Sequence, residues 1–348
     1  MLENLFQSTE GRFHTCAEIR PEIIKACKNN PDVAKYYFLG KSQQKRIIDA
    51  VVLGKGSRTV SLIAGAHSDE PVGPEMLRTF ILNGIEKKNE LVELFERFCF
   101  LIIPHINPDG EIRNQPWITQ WPDVDAYLLH AFRELPGQDI EFGYPDLRPE
   151  NRCVSMFLNQ RPAIDLHISF HGMGFSEGAM LLIERHWIGR TQDLRKKFAA
   201  YANKLGLSLH DHDRKGEKGF LYIGPGFTTT PEGSAMQKYF IELGDHTTAS
   251  LFHNSSMEFV RQEGNDALCL VTELPLFTMK NIELPAEKGI PASYLAFRDR
   301  KPKLIATLLR DESIDDFKED FQISPLDLQA AIRFQLYVLE LGLETIEQ

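Results

Sequence analysis

Val60, Leu62 and Ala64 alternate with small or polar neighbours across residues 59–66, which predicts a buried strand. Helical spacing of Ile19, Ile23, Ile24 and Ala26 predicts a helix over 16–29, closed by Asn29-Asn30-Pro31. Two strands are expected at 36–39 and 46–53, joined through Gly40-Lys41-Ser42. Residues 75–98 carry a long helical pattern with a break near 83–90, and the apolar run 98–103 has the character of a central parallel strand covered on both faces. His105-Ile106-Asn107-Pro108-Asp109-Gly110 is turn chemistry, and the proline-rich stretch 115–149 is expected to be a long, irregular, functional loop.

The second half repeats the alternation of strand and helix. A helix at 150–159 leads into strands at 163–170 and 179–184, followed by a helix at 191–205. Residues 207–231 are polar and glycine-rich, so His210-Asp211-His212-Asp213 is expected to lie in a solvated loop despite its metal-binding residue types. A further apolar strand at 267–272 ends in Glu273. Ser324-Pro325 is expected to open a helix that runs to about Leu341 and stops at Gly342.

With 348 residues the chain can bury a sizeable core. A formal charge of −10 without any basic run argues against nucleic-acid binding. The apolar runs are too short to cross a bilayer, and residues 1–12 lack the pattern of a signal peptide. Five scattered cysteines have no paired spacing; Cys99 and Cys269 lie inside strand patterns as core residues. A cytoplasmic location follows as the expectation, with the oligomeric state left open.

Chemistry gathers where the strands end. His67 and Glu70, three apart on a tight turn after Gly65, can point an imidazole and a carboxylate at one metal ion. About one such His-x-x-Glu pair is expected by chance in this composition, so position carries the argument. A catalytic zinc takes three protein ligands and leaves one position open. His171 supplies the third, Glu273 can move a proton, and Arg113 can stabilise an oxyanion. His167 lies on the same strand face as His171, in an Asp165-Leu166-His167 triplet, and is the alternative ligand; otherwise it is a hydrogen-bonded core histidine.

Several motifs in order resemble the zinc carboxypeptidase family, which includes pancreatic carboxypeptidase A. They are Asn29-Asn30-Pro31-Asp32-Val33, Gly40-Lys41-Ser42, Ala64-Gly65-Ala66-His67-Ser68-Asp69-Glu70, Pro104-His105-Ile106-Asn107-Pro108-Asp109-Gly110, Ile168-Ser169-Phe170-His171-Gly172 and Thr272-Glu273-Leu274. The resemblance covers about residues 19–280. It implies one zinc per chain on His67, Glu70 and His171, with Glu273 as general base or acid and Arg113 as the counterpart of the oxyanion arginine. It also implies an α/β fold: a mixed, mostly parallel twisted sheet of about eight strands between helices. Residues 1–284 would form the catalytic domain, and 285–348 a helical C-terminal extension packed on it.

One departure concerns recognition. The family's Asn-Arg pair, which grips a terminal carboxylate, is replaced by Tyr127-Leu128 after Val124-Asp125-Ala126. Tyr127 and the loop arginines Arg133, Arg148 and Arg152 are the candidate substrate-binding residues. A tyrosine that the family often carries about twenty residues before Glu273 is also missing, with Phe252 and His253 in that region. Three functions stay open: hydrolysis of a C-terminal peptide bond, deacylation of N-acyl amino acids as in the related desuccinylase and aspartoacylase enzymes, and non-catalytic binding on the same scaffold.

Overall fold

The computed structural model describes residues 2, 11–160, 163–280, 282 and 289–348. The helix Cys16–Asn29 is opened by Thr15, whose hydroxyl accepts the Glu18 N–H while the Glu18 carboxylate accepts the Thr15 N–H. Strands β1 (Ala34–Lys41) and β2 (Ile47–Leu53) pair antiparallel. They are followed by β3 (Arg58–Ala64), β4 (Phe98–Ile103), β5 (Leu166–Ser176) and β6 (Gly178–Ile183). Three short strands come next: β7 (Ser208–Leu209), β8 (Tyr222–Gly224) and β9 (Phe227–Thr229). The last two are β10 (Leu268–Thr278) and β11 (Ser324–Pro325).

Among the described residues the sheet has 11 strands in the order β1-β2-β4-β3-β5-β10-β6-β9-β8, with β11 on β10 and β7 on β6. Its centre, β4-β3-β5-β10, is parallel, and antiparallel pairs flank it. The count exceeds the expected eight because four short strands, three within 207–231 and one at Ser324–Pro325, form where local composition carries no strand signal. Both faces are covered: Met76, Phe80, Phe334 and Leu339 pack on one side, and Cys99, Phe157, Met257 and Cys269 on the other. The 75–98 pattern splits into the helices Val72–Glu86 and Val92–Arg97, broken close to where the sequence suggested.

Three local expectations are corrected. Asn107-Pro108-Asp109-Gly110 begins a helix, Pro108–Ile118, in which the Asn107 side chain accepts the Gly110 N–H and Pro108 occupies the first turn. With the helix Val124–His130, this leaves a shorter irregular loop at 131–148. Ser324-Pro325 pairs with β10, and the terminal helix Leu328–Ile346 is capped by Asp327 instead. Gly342 lies inside that helix, where a Cβ would come within 2.9 Å of the Leu166 side chain, so the helix packs hard on β5 and β10. The 284/285 boundary expected from sequence falls outside the described residues. Among the described residues no helix is long and apolar enough to cross a membrane.

Candidate active site

β3 ends at Ala64, and Gly65 turns the chain with φ +74, in the left-handed region that glycine enters freely. A Cβ there would sit 2.4 Å from the His105 ring, so the turn also depends on the missing side chain. Beyond it His67 and Glu70 face the same point, and Gly73 lets the following helix lie against the Phe170 carbonyl of β5. His171 and Glu273 are register partners on the parallel pair β5 and β10. Both strands run past these residues, so the two side chains project from mid-strand positions rather than from strand ends.

His67, Glu70 and His171 bring their ligand atoms together. His67 Nδ1 lies 3.1 Å from Glu70 Oε1 and 3.1 Å from His171 Nδ1, and His171 Nδ1 lies 2.9 Å from Glu70 Oε2. Two imidazole nitrogens this close, sharing one carboxylate, can be joined by a shared proton or by a metal ion. Burial alone would lower the His171 pKa, but Glu70 and Glu141 outweigh it and raise it well above the ordinary value. Burial opposes the Glu70 charge, yet Arg133, His67 and His171 hold its pKa well below the ordinary value. Two nitrogens and one carboxylate oxygen fit the three-ligand sets that hold catalytic zinc.

Further groups brace this cluster. His171 Nε2 lies 3.1 Å from Glu141 Oε2 and 2.9 Å from Ser169 Oγ, an arrangement that fixes the ring and its tautomer. Gly172 N–H donates to Glu70 Oε2. Arg133 Nε donates to Asp69 at 2.9 Å, and its terminal nitrogen pairs with Glu70. Asn114 holds the approach to Arg133 by accepting the Phe132 N–H and donating to the Phe132 carbonyl.

Glu273 faces the same space. Its Oε2 is buried without a hydrogen-bond partner among the described residues. Burial, then the Glu70 charge, push its pKa up to about 8. Two cavities meet here. One, of about 340 Å³, has apolar walls from Phe142, Phe240, Phe252 and Met257. The other, of about 510 Å³, is more polar and includes Tyr127, Tyr294 and Lys301. They share His67, Arg133, Arg214, Phe220 and Glu273.

The remaining candidates are scattered. Arg113 lies over the Phe132 ring at 3.1 Å and lines a third cavity with Arg148, which adjoins the apolar one at Arg133 and Glu134 but does not include Glu273. Arg148 donates to the Gln138 carbonyl, and Arg152 is exposed on the helix Pro149–Leu158. Tyr127 is packed among Trp117, Phe175 and Phe277 at the edge of the polar cavity. His167 is fully buried between Ser61 Oγ at 3.0 Å and Ser256 Oγ at 3.1 Å, away from the cluster. Sequence reasoning missed Glu141, Arg214, Lys218 and Phe220, which come from loops without local motifs; only the length and composition of the 115–149 stretch pointed toward Glu141.

Comparison with known proteins gives the same picture. The family description "Zinc carboxypeptidase" matches residues 22–175, a span that includes His67, Glu70 and His171. Carboxypeptidase E of Caenorhabditis elegans is 27% identical over 151 residues, covering 39% of this chain and 30% of that protein. The inactive metallocarboxypeptidase ECM14 of Ajellomyces capsulatus (strain H143) is 24% identical over 200 residues, covering 53% of this chain and 30% of that protein. The match thus spans less than a third of either relative's length. The crystal structure of carboxypeptidase A from Helicoverpa armigera overlays with a TM-score of 0.54 at 12% identity, covering 97% of this chain and 74% of that one, a likeness of fold. Residues 22–175, which carry the three ligand candidates, thus match the zinc carboxypeptidase family, and the chain has the fold of a carboxypeptidase.

Proposed function

We propose that this chain hydrolyses amide bonds as a zinc metallocarboxypeptidase, releasing the C-terminal residue of a peptide. The observation that carries the reading is a buried, unpartnered Glu273 carboxylate facing the same space as the His67, Glu70 and His171 ligand atoms. His67, Glu70 and His171 would hold one zinc ion, which when bound supplies a Lewis acid to polarise a carbonyl and acidify water. Glu273 accepts the proton from the attacking water and passes it to the leaving amine nitrogen. Glu141 and Ser169 keep the His171 ring oriented throughout.

For the substrate's carboxylate, Arg133 is the one of the three loop arginines that lines the cavity with Glu273. It takes the role left open by Tyr127-Leu128. The apolar walls accept the departing residue's side chain. The five cysteines form no disulfide, which suits the reducing cytoplasm as its location. Zinc-loaded protein should be offered N-blocked peptides, dipeptides and N-acyl amino acids. Release of the C-terminal residue from blocked peptides supports the proposal. Turnover confined to N-acyl amino acids would make the protein a deacylase, and none on any class, with zinc bound, would make it a binding protein.

A further inference from the structure

A second cluster of metal-ligating side chains lies apart from the first: Glu177, His210 and His212. The chain builds it by close backbone approach. Glu177 is the single residue between β5 and β6. β7 pairs parallel with the start of β6, Gly178 opposite Ser208 and Ala179 opposite Leu209, and His210 N–H donates to the Ala179 carbonyl at 2.9 Å. A Cβ on Gly178 would stand 2.1 Å from the Ser208 carbonyl oxygen, so only glycine lets β7 lie this near. Extended chain from β7 then puts His210 and His212, two apart, on the same side. Their rings lie 3.7 Å apart, in the interior rather than in the solvated loop expected from the sequence.

Glu177 Oε1 lies 3.1 Å from His210 Nδ1 and 3.0 Å from His212 Nε2. The two histidine side chains are 2% exposed and Glu177 is 9% exposed, so the donors are shielded from water. Despite their nearness, Glu177 Oε1 and His212 Nε2 make no hydrogen bond: both are buried atoms without a partner among the described residues. The ligand atoms of Glu177, His210 and His212 all lie within 4.8 Å of one another. That is the geometry of groups that converge on a third point. Ligands 2.0–2.2 Å from a tetrahedral ion stand about 3.3–3.6 Å apart, so the two Glu177–histidine gaps would need to widen by only a few tenths of an ångström to admit one.

We propose that Glu177, His210 and His212 form a second metal site, for a divalent transition ion of the zinc class. Two imidazole nitrogens and one carboxylate oxygen suit zinc, cobalt or nickel and disfavour calcium or magnesium, which prefer all-oxygen shells. Ser176 Oγ, 3.0 Å from His210 Nδ1, and the Tyr294 ring, 4.6 Å from the His212 ring, close the surroundings. The site has a structural consequence for the cleft. His212 is two residues from Arg214, and Arg214 and Phe220 line both cavities that meet at Glu273. A bound ion would pin this segment to the β5–β6 connection and so hold Arg214 over the cleft.

The alternative is an ion pair in which a shared proton, not a metal, joins the carboxylate to the histidines. Metal counting separates the two. Purified full-length protein is stripped with chelator, reloaded with excess Zn²⁺, desalted and assayed for zinc by atomic emission. Two zinc ions per chain are expected for the parent, one for His212→Gln, one for His67→Gln, and none for the double variant. A parent that retains a single ion, lost in His67→Gln and kept in His212→Gln, overturns the proposal. A single ion lost in His212→Gln and kept in His67→Gln would support this site and sink the catalytic one, so the two readings fail separately. If His212→Gln does not fold, an anomalous difference map at the zinc edge on parent crystals decides. A peak between His210 and His212 supports the site, and a peak beside His67 alone overturns it.

Discussion

In the proposed mechanism the proton falls to Glu273, because Glu70 and Glu141 already face histidines. Glu273→Gln keeps the size and removes the proton carrier. Zinc content should stay unchanged while turnover falls about 10²–10⁴-fold. Near-parental turnover with metal retained would hand the proton to some other group. Arg133 leads to a second expectation. Truncating it to alanine should raise KM for carboxylate-terminated substrates far more than for their amides, since a charge in a closed site needs a partner. The same change at Arg152, exposed on its helix, should leave the two substrate types equally affected. If acid and amide respond alike to Arg133→Ala, Arg214 becomes the better candidate. The convergence of His67, Glu70 and His171 was legible because the first two follow a buried strand and the third lies within one. Arg214 and Glu141 were not, since tertiary folding alone brings their loops to the cleft.

Elements were readable where apolar runs were long. β4, spanning Phe98–Ile103, lies where its composition placed it, as does the helix Cys16–Asn29. Misreadings cluster where two structures share one local chemistry. Asparagine followed by proline suits a turn and also a helix start, and the choice fell to the helix once Asn107 capped Gly110. His210 and His212 were read as solvated because polarity along the chain says nothing about β7, a two-residue strand made possible by Gly178. The turn at Gly65 provides the test at this scale. Alanine there meets both a positive φ and the His105 ring, so Gly65→Ala should destabilise the fold by at least the ~1–2 kcal/mol typical of a left-handed non-glycine residue. Equilibrium urea unfolding measures it, and an unchanged midpoint would mean the turn relaxes at no cost.

For the whole molecule, the terminal helix shows how far a tail can be part of the core: Phe334, Leu336 and Leu339 are fully buried against the sheet that carries the site. The depth of that core has an electrostatic consequence. Burial pushes the pKa of His167 down to about 3 and that of His105 down to about 4. In the unfolded chain both titrate near 6.5. Between those values the unfolded state binds protons that the folded state refuses, so stability rises with pH across this window. The contribution is complete above about pH 6.5 and drains away as pH falls toward the folded values. Each histidine adds a slope of about 1.4 kcal/mol per pH unit once the unfolded chain is fully protonated there. His167 can be isolated, because its neighbours Ser61 and Ser256 can hydrogen-bond an amide. In His167→Gln the loss of stability between pH 5.5 and 4, followed by urea unfolding at matched zinc, should be shallower than in the parent by about one proton's worth. Identical slopes for the two proteins would show that His167 is protonated in the folded chain, and that the burial argument fails at this residue.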